Sequence, residues 1–181
     1  MCPALHCRSP IGFEAAGYGL EKRGAMDGGG ETELAGGPER VTEGRWAGWS
    51  SYPRSDAFEE LAGPFYFRDS PAGARVCAFL AEPRHMNGSG FMHGGCVMTF
   101  ADFALFVIAR EAMGDQRGVT VTLNGEFLGA SRAGDVLECT GEVVKTGRSL
   151  VFVRGLITTS GQPVMSFSGV IKKMGPRLPR P

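Results

Sequence analysis

Between Cys96 and Ala109 every residue is apolar except Thr99 and Asp102, and the apolar positions run almost all the way round a helical wheel. A helix of that kind leaves no broad face for water, so the rest of the chain has to enclose it. The stretch falls well short of the roughly 20 apolar residues that cross a bilayer, which makes it a core helix and not a membrane span. Gly114 marks its end, and Arg110 in the last turn puts a cation where the helix dipole favours one.

The flanking sequence supplies strands to do the enclosing. Upstream, DAFEELAG from Asp56 reads as a short helix with Phe58 and Leu61 on one face, stopped by Gly63-Pro64. PFYFRDS and GARVCAFLA then alternate around a turn at Ser70-Pro71-Ala72-Gly73, the pattern of a hairpin. Downstream come four strand-like runs: Val119–Leu128, Val136–Lys145, Leu150–Thr159 and Val164–Lys173. Short turns at Lys145–Arg148 and Ser160–Pro163 join the last three, and short connections make antiparallel neighbours. The expected fold is α+β, an antiparallel sheet wrapped around one long central helix. A single curled sheet covers only part of such a helix, so another subunit is expected to cover the remainder.

Residues 1–50 differ in character. They are glycine-rich, with Gly28-Gly29-Gly30 and Gly36-Gly37, and they show no sustained apolar period. That reads as a flexible or disordered leader, in which Met26 is a candidate start. Trp46 and Trp49 mark where order resumes. The expected organisation is a leader over 1–50, one domain over 51–176 and a tail over 177–181.

The 181 residues carry 19 basic and 19 acidic side chains, a formal net charge of zero, so no long-range field favours nucleic acid or an anionic membrane. Neither is expected as a partner. The five cysteines are an odd, scattered set without a C-x-x-C, which suits reduced thiols in a cytosolic protein better than a disulfide frame or zinc site. The N-terminus lacks a basic patch followed by an apolar core, the mark of a secretory signal, and a cytoplasmic location is expected. There is no Walker A and no G-x-G-x-x-G, and no cofactor or metal is expected.

One residue in the apolar helix resists a packing explanation. A buried carboxylate without a partner costs several kcal/mol, so Asp102 is either paired or at work. Just before the helix stand Gly94 and Gly95, which bring backbone N–H groups to the first turn with no side chain in the way, where the dipole is positive. That is an oxyanion hole in kind, suited to a carbonyl oxygen gaining charge during acyl transfer. Yet eight residues of helix separate Gly94 from Asp102, about 12 Å along the axis. A carboxylate cannot act on a carbonyl held so far away. If both groups serve one site, a two-fold dimer with antiparallel helices must bring Gly94 of one chain beside Asp102 of the other.

The spaced set Asn87-x5-His93-Gly94-Gly95-x6-Asp102, followed by Gly118-Val119-Thr120-Val121, resembles the hotdog-fold acyl-CoA thioesterases of the phenylacetate-degradation type, over roughly residues 58–174. The resemblance implies a hotdog fold, an acyl-CoA substrate and a homodimer or homotetramer. It implies the thioester carbonyl at the Gly94 N–H, Asn87 near the thioester or the attacking water, and Asp102 as general base or nucleophile from the opposite subunit. Thr120 takes the place of the hydroxyl that orients the water, where some relatives carry Ser. The histidine before the glycines in this fold mainly shapes the loop, and a direct acid–base part for His93 is the alternative.

Other residues compete for attention. Cys96, one turn into the helix, is a possible nucleophile because helix N-termini stabilise thiolates, although most buried cysteines only pack. Ser89 lacks the G-x-S-x-G of a serine hydrolase. Lys145 and Arg148 are candidate contacts to coenzyme A phosphates, against the plain alternative of two solvated cations in a turn. Phe58, Phe65, Phe91, Phe103 and Phe106 either line an acyl pocket or fill the core. Two further functions stay open: a hotdog hydratase or dehydratase, needing a His–acid pair from His85 or His93, and a non-catalytic acyl-CoA binder.

Overall fold

The structure is a computed structural model that describes residues 37–71 and 73–176. The expected leader up to residue 36 and the expected tail lie outside the described residues. In chain order the elements are β1 (Glu39–Arg40), β2 (Ser50–Ser51), α1 (Ala57–Ala62), β3 (Tyr66–Asp69), β4 (Arg75–Leu80), α2 (Gly94–Met113), β5 (Gln116–Phe127), β6 (Val136–Thr146), β7 (Leu150–Thr159) and β8 (Gln162–Pro176). All eight strands join one antiparallel sheet in the order β1-β2-β3-β4-β6-β7-β8-β5. β5, the first strand after the long helix, therefore crosses to the far edge of the described sheet, where it pairs with β8.

The expected α+β architecture with a sheet around one helix is what the chain forms. α2 lies against β4, β5, β6, β7 and β8. Phe100 and Leu105 of the helix are fully buried with Phe79, Leu137, Ile157, Met165 and Ile171 of the sheet. Each such side chain contributes about 1.5–3 kcal/mol by leaving water. The approach is close enough to exclude side chains from two strand positions. A Cβ on Gly169 would stand 2.7 Å from Leu105 Cδ1 and 2.9 Å from the Thr122 carbonyl, and one on Gly141 would stand 2.7 Å from Ile108 Cδ1.

One stripe of α2 stays half open: Met98, Thr99, Asp102 and Phe106 are neither buried nor free. β5 borders that stripe.

α1 begins where the sequence says. Asp56 caps it, its Oδ1 accepting from the Phe58 and Glu59 N–H groups at 2.9 and 3.0 Å. Phe58 and Leu61 do share a face, but that face is open, with the two side chains 62% and 69% exposed. Sheet pairing starts at Glu39, upstream of the boundary expected at residue 51. There Trp49 is buried and Trp46 stacks on Tyr66 with ring centroids 4.6 Å apart, a packed aromatic cluster rather than an exposed pair.

Candidate active site

The loop before α2 is tied down by its own polar groups. Asn87 Oδ1 accepts from the N–H of Ser89 at 2.8 Å and of Phe91 at 3.2 Å, which closes the turn over Gly88 and Gly90. Met92 N–H donates to the Ser131 carbonyl and His93 N–H to the His85 carbonyl, each at 2.8 Å. This anchoring delivers His93 to the N-cap of α2, where its Nδ1 accepts from the Gly95 N–H at 3.0 Å. Sequence reasoning offered two free glycine donors. The cap takes Gly95's, and the Gly94 N–H has no partner among the described residues.

Two turns further along α2, Asp102 Oδ1 accepts from Thr120 Oγ1 at 2.7 Å. Thr120 reaches it from β5, beside a register shift between Thr120 and Thr122 in the pairing with β8. An irregularity of this kind re-aims a side chain locally. The Thr120 methyl does not prevent the contact. Both residues line a cleft of about 380 Å³ with Asp56, Phe58, Glu59, Met98, Thr99 and Leu123.

Within one chain, then, Asp102 and Thr120 come together while Gly94 and Asn87 stay apart from them. β5 measures the separation. It passes Asp102 at Thr120 and reaches Gly94 at Phe127, whose Cζ stands 3.1 Å from where a Gly94 Cβ would be. A second cleft, of about 440 Å³, opens beside the helix N-terminus and is lined by Phe58, Leu61, Arg84, His85, His93, Gly95, Cys96 and Thr99 among others. Lys145 and Arg148 are exposed in and beside the β6–β7 turn and line neither cleft.

The titratable groups sort themselves by environment. Glu59, in α1, has its carboxyl pushed up to about 7, first by burial, then by the neighbouring charges of Asp56 and Asp102. Nothing in the sequence marks a chemical part for it, because a D-x-x-E start to a helix reads as a capping pattern. Burial raises the Cys96 thiol, with Arg84 pulling the other way, which opposes the thiolate a nucleophile needs. His85 is buried, lowered first by that burial and then by Arg84, and its Nδ1 accepts from the Glu82 N–H at 2.9 Å. Glu82 caps the His85 backbone N–H, but neither imidazole ring has a carboxylate among its described hydrogen-bond partners. Among the described residues no three His, Cys, Asp or Glu cluster as metal ligands would, and no helix is long and apolar enough to cross a membrane.

Residues 89–166 match the family model of the Thioesterase superfamily. A Pseudomonas aeruginosa protein named as a candidate esterase is 35% identical over 118 residues, 65% of this chain and 88% of that one. Human acyl-coenzyme A thioesterase 13 is 29% identical over 99 residues, 52% of this chain and 68% of the relative. Among solved structures, a thioesterase protein from Streptococcus pneumoniae, described as hypothetical and solved with coenzyme A, aligns with a TM-score of 0.55 at 25% identity, covering 63% of this chain and 88% of that one. The same protein has been solved with one Asp, and with one Thr, replaced by alanine. The Escherichia coli PaaI protein of the phenylacetic acid degradation operon shares the fold, with a TM-score of 0.59 at 22% identity over 68% of this chain and 88% of its own. With its antiparallel sheet around a central helix and a relative matched over most of that relative's length, this chain belongs to the thioesterase superfamily of thioester hydrolases, in the hotdog fold.

Proposed function

We propose that this protein hydrolyses the thioester of an acyl-CoA to the free acid and coenzyme A, at a site shared between two subunits. The carbonyl oxygen sits on the Gly94 N–H of one subunit. Asp102 of the other, with Thr120 beside it, takes a proton from water as the water attacks. The observation that carries this is the Thr120–Asp102 hydrogen bond in an open cleft, on a helix whose N-terminal Gly94 donor is free and about 12 Å away.

The exposed edge of the sheet supports a dimer. Val119 and Val121 of β5 are 46% and 48% exposed on a strand that has no outer neighbour among the described residues, and such an edge invites pairing with a second copy. The same strand carries Thr120, so the pairing would draw the two clefts to a common boundary. The coenzyme A held by the streptococcal structure and the name of the human relative support an acyl-CoA substrate.

A hydratase would need a His–acid pair. Here both histidines turn a ring nitrogen to a backbone N–H instead. A binder without activity would release no thiol.

Mixing inactive subunits tests the shared site. Asp102→Asn removes the base. Gly94→Pro removes the N–H at the first position of a helix, where proline suits the backbone and His93 already holds the extended ψ of 129°, provided the Phe127 ring, 3.1 Å from the added Cβ, gives by a few tenths of an ångström. Each variant alone is expected to be inactive in thiol release, and a refolded equal mixture to regain about a quarter of wild-type turnover, since half the dimers hold one intact site. No recovery on mixing, with dimers formed, would remove the shared site. An Asp102→Asn protein that still releases thiol would remove the mechanism.

A further inference from the structure

Glu59 stands three residues after the N-cap of α1, where a glutamate side chain ordinarily reaches back to the N-cap N–H. Among the described hydrogen bonds its carboxyl makes no such contact and has no partner. It lines the Asp102–Thr120 cleft instead. It also walls two adjoining clefts, one with Tyr52, Phe65 and Phe103, the other with Phe106, Arg110 and Arg117. A free carboxyl at the junction of the site's cavities, next to a second carboxylate that a threonine holds in place, has the arrangement of an acid and base working as a pair.

We propose that Glu59 is a further catalytic residue of this cleft, holding a proton while Asp102 is ionised and giving it to the sulfur of the departing thiol. The assignment rests on the thioester hydrolysis proposed above. Asp102 accepts a proton from water as the water oxygen bonds to the carbonyl carbon. The tetrahedral adduct re-forms its carbonyl as the carbon–sulfur bond breaks, and the electron pair left on sulfur takes the Glu59 proton. The proton on Asp102 then returns to Glu59 across the cleft. Both groups end as they began, and the acid product keeps the second proton of the water.

The charges that face Glu59 fit this division. Asp56 of its own helix and Asp102 of α2 both disfavour ionisation there, in addition to burial. Arg110 of α2 and Asp115 and Arg117 at the start of β5 share the adjoining cleft, and Tyr52 lines it too.

The test uses wild type, Glu59→Gln and Asp102→Asn as full-length proteins, with one acyl group carried on coenzyme A and on an acidic aryl thiol. For wild type, kcat on acyl-CoA should fall above about pH 7, where Glu59 loses its proton. Glu59→Gln is expected to lower that kcat about 10- to 100-fold and to abolish the alkaline fall, since glutamine cannot supply a proton. On the aryl thioester, whose thiolate leaves without protonation, the loss should shrink to within about 3-fold. Carbon-detected NMR of wild type should find the Glu59 carboxyl titrating near neutrality and moving down in Asp102→Asn, a readout that needs no variant at position 59. An unchanged pH profile in Glu59→Gln, an equal loss on both thioesters, or a Glu59 carboxyl that titrates in the ordinary range overturns the assignment. An inactive Asp102→Asn beside an unaffected Glu59→Gln would overturn it while leaving the hydrolase standing.

Discussion

Thr120 Oγ1 donates to Asp102 Oδ1 across 2.7 Å, from the edge strand of the sheet to the middle of the helix it wraps. The bond leaves Asp102 Oδ2 for water and fixes the rotamer of a side chain that lines an open cleft. Thr120→Ala should therefore keep the fold and lower kcat about 10- to 100-fold, while Thr120→Ser, which retains the hydroxyl, stays within about 3-fold of wild type. Asp102→Asn should cost about 10²- to 10⁴-fold. Steady-state thiol release on purified proteins of matched melting temperature measures all three. Equal losses in the alanine and serine variants would mean that the hydroxyl does not matter.

His93 is predicted to act on stability first. Its Nδ1 satisfies the Gly95 N–H at the start of α2, and loss of an N-cap costs about 1 kcal/mol. His93→Ala should lower the melting temperature, and His93→Asn, which can cap through its own oxygen, should recover most of it. Scanning calorimetry decides. If asparagine restores stability but not turnover, the ring has a chemical part as well.

Cys77 and Cys139 face each other across β4 and β6, both fully buried. Burial raises both thiols well above the ordinary range. Neither should react with iodoacetamide in the folded protein at pH 8, whereas the half-buried Cys96 should react slowly. Mass spectrometry of tryptic peptides after timed labelling follows each site. Fast labelling of Cys139 would show the sheet opening locally.

Gly169→Ala should destabilise the protein by about 1–3 kcal/mol, because the new methyl meets Leu105 of the helix at 2.7 Å. Chemical denaturation with unchanged m-value is the measurement. An unaffected midpoint would mean that α2 can lift away from β8.

The raised carboxyl of Glu59 also sets a pH dependence of stability. Its folded value of about 7 lies above the ordinary 4.5, so the folded state binds the extra proton between those two values. The resulting contribution is complete below about pH 4.5 and is lost as pH rises through 7. Glu59→Gln should therefore gain melting temperature over wild type at pH 8 and lose that advantage at pH 4.5. A pH-independent difference would remove the shift.

The large elements were legible because each carries its own periodicity and punctuation. The apolar wheel from Cys96 to Ala109 demanded enclosure, and the turns at Lys145–Arg148 and Ser160–Pro163 made the last three strands antiparallel neighbours. The crossing of β5 to the far edge was not legible, since no local signal records which strand a segment pairs with over a long separation. In the site, a resemblance named Asp102 and Thr120 separately, while the hydrogen bond between them and the capture of the Gly95 N–H by His93 depend on side-chain rotamers. Glu59 was hidden for another reason. Its position in a capping pattern explains it fully until the cavities around it are known.

The helix rests in a trough from which strand side chains have been removed, with Gly169 and Gly141 under Leu105 and Ile108. Such a seat resists sliding and rolling, so the position of Asp102 against Thr120 is set by the framework. Under the acyl-CoA hydrolysis proposed above, adaptation to larger or smaller acyl groups would come from the wall that α1 forms. There α1, a six-residue helix with no buried side chain, offers Phe58 and Leu61 as replaceable facings over this floor.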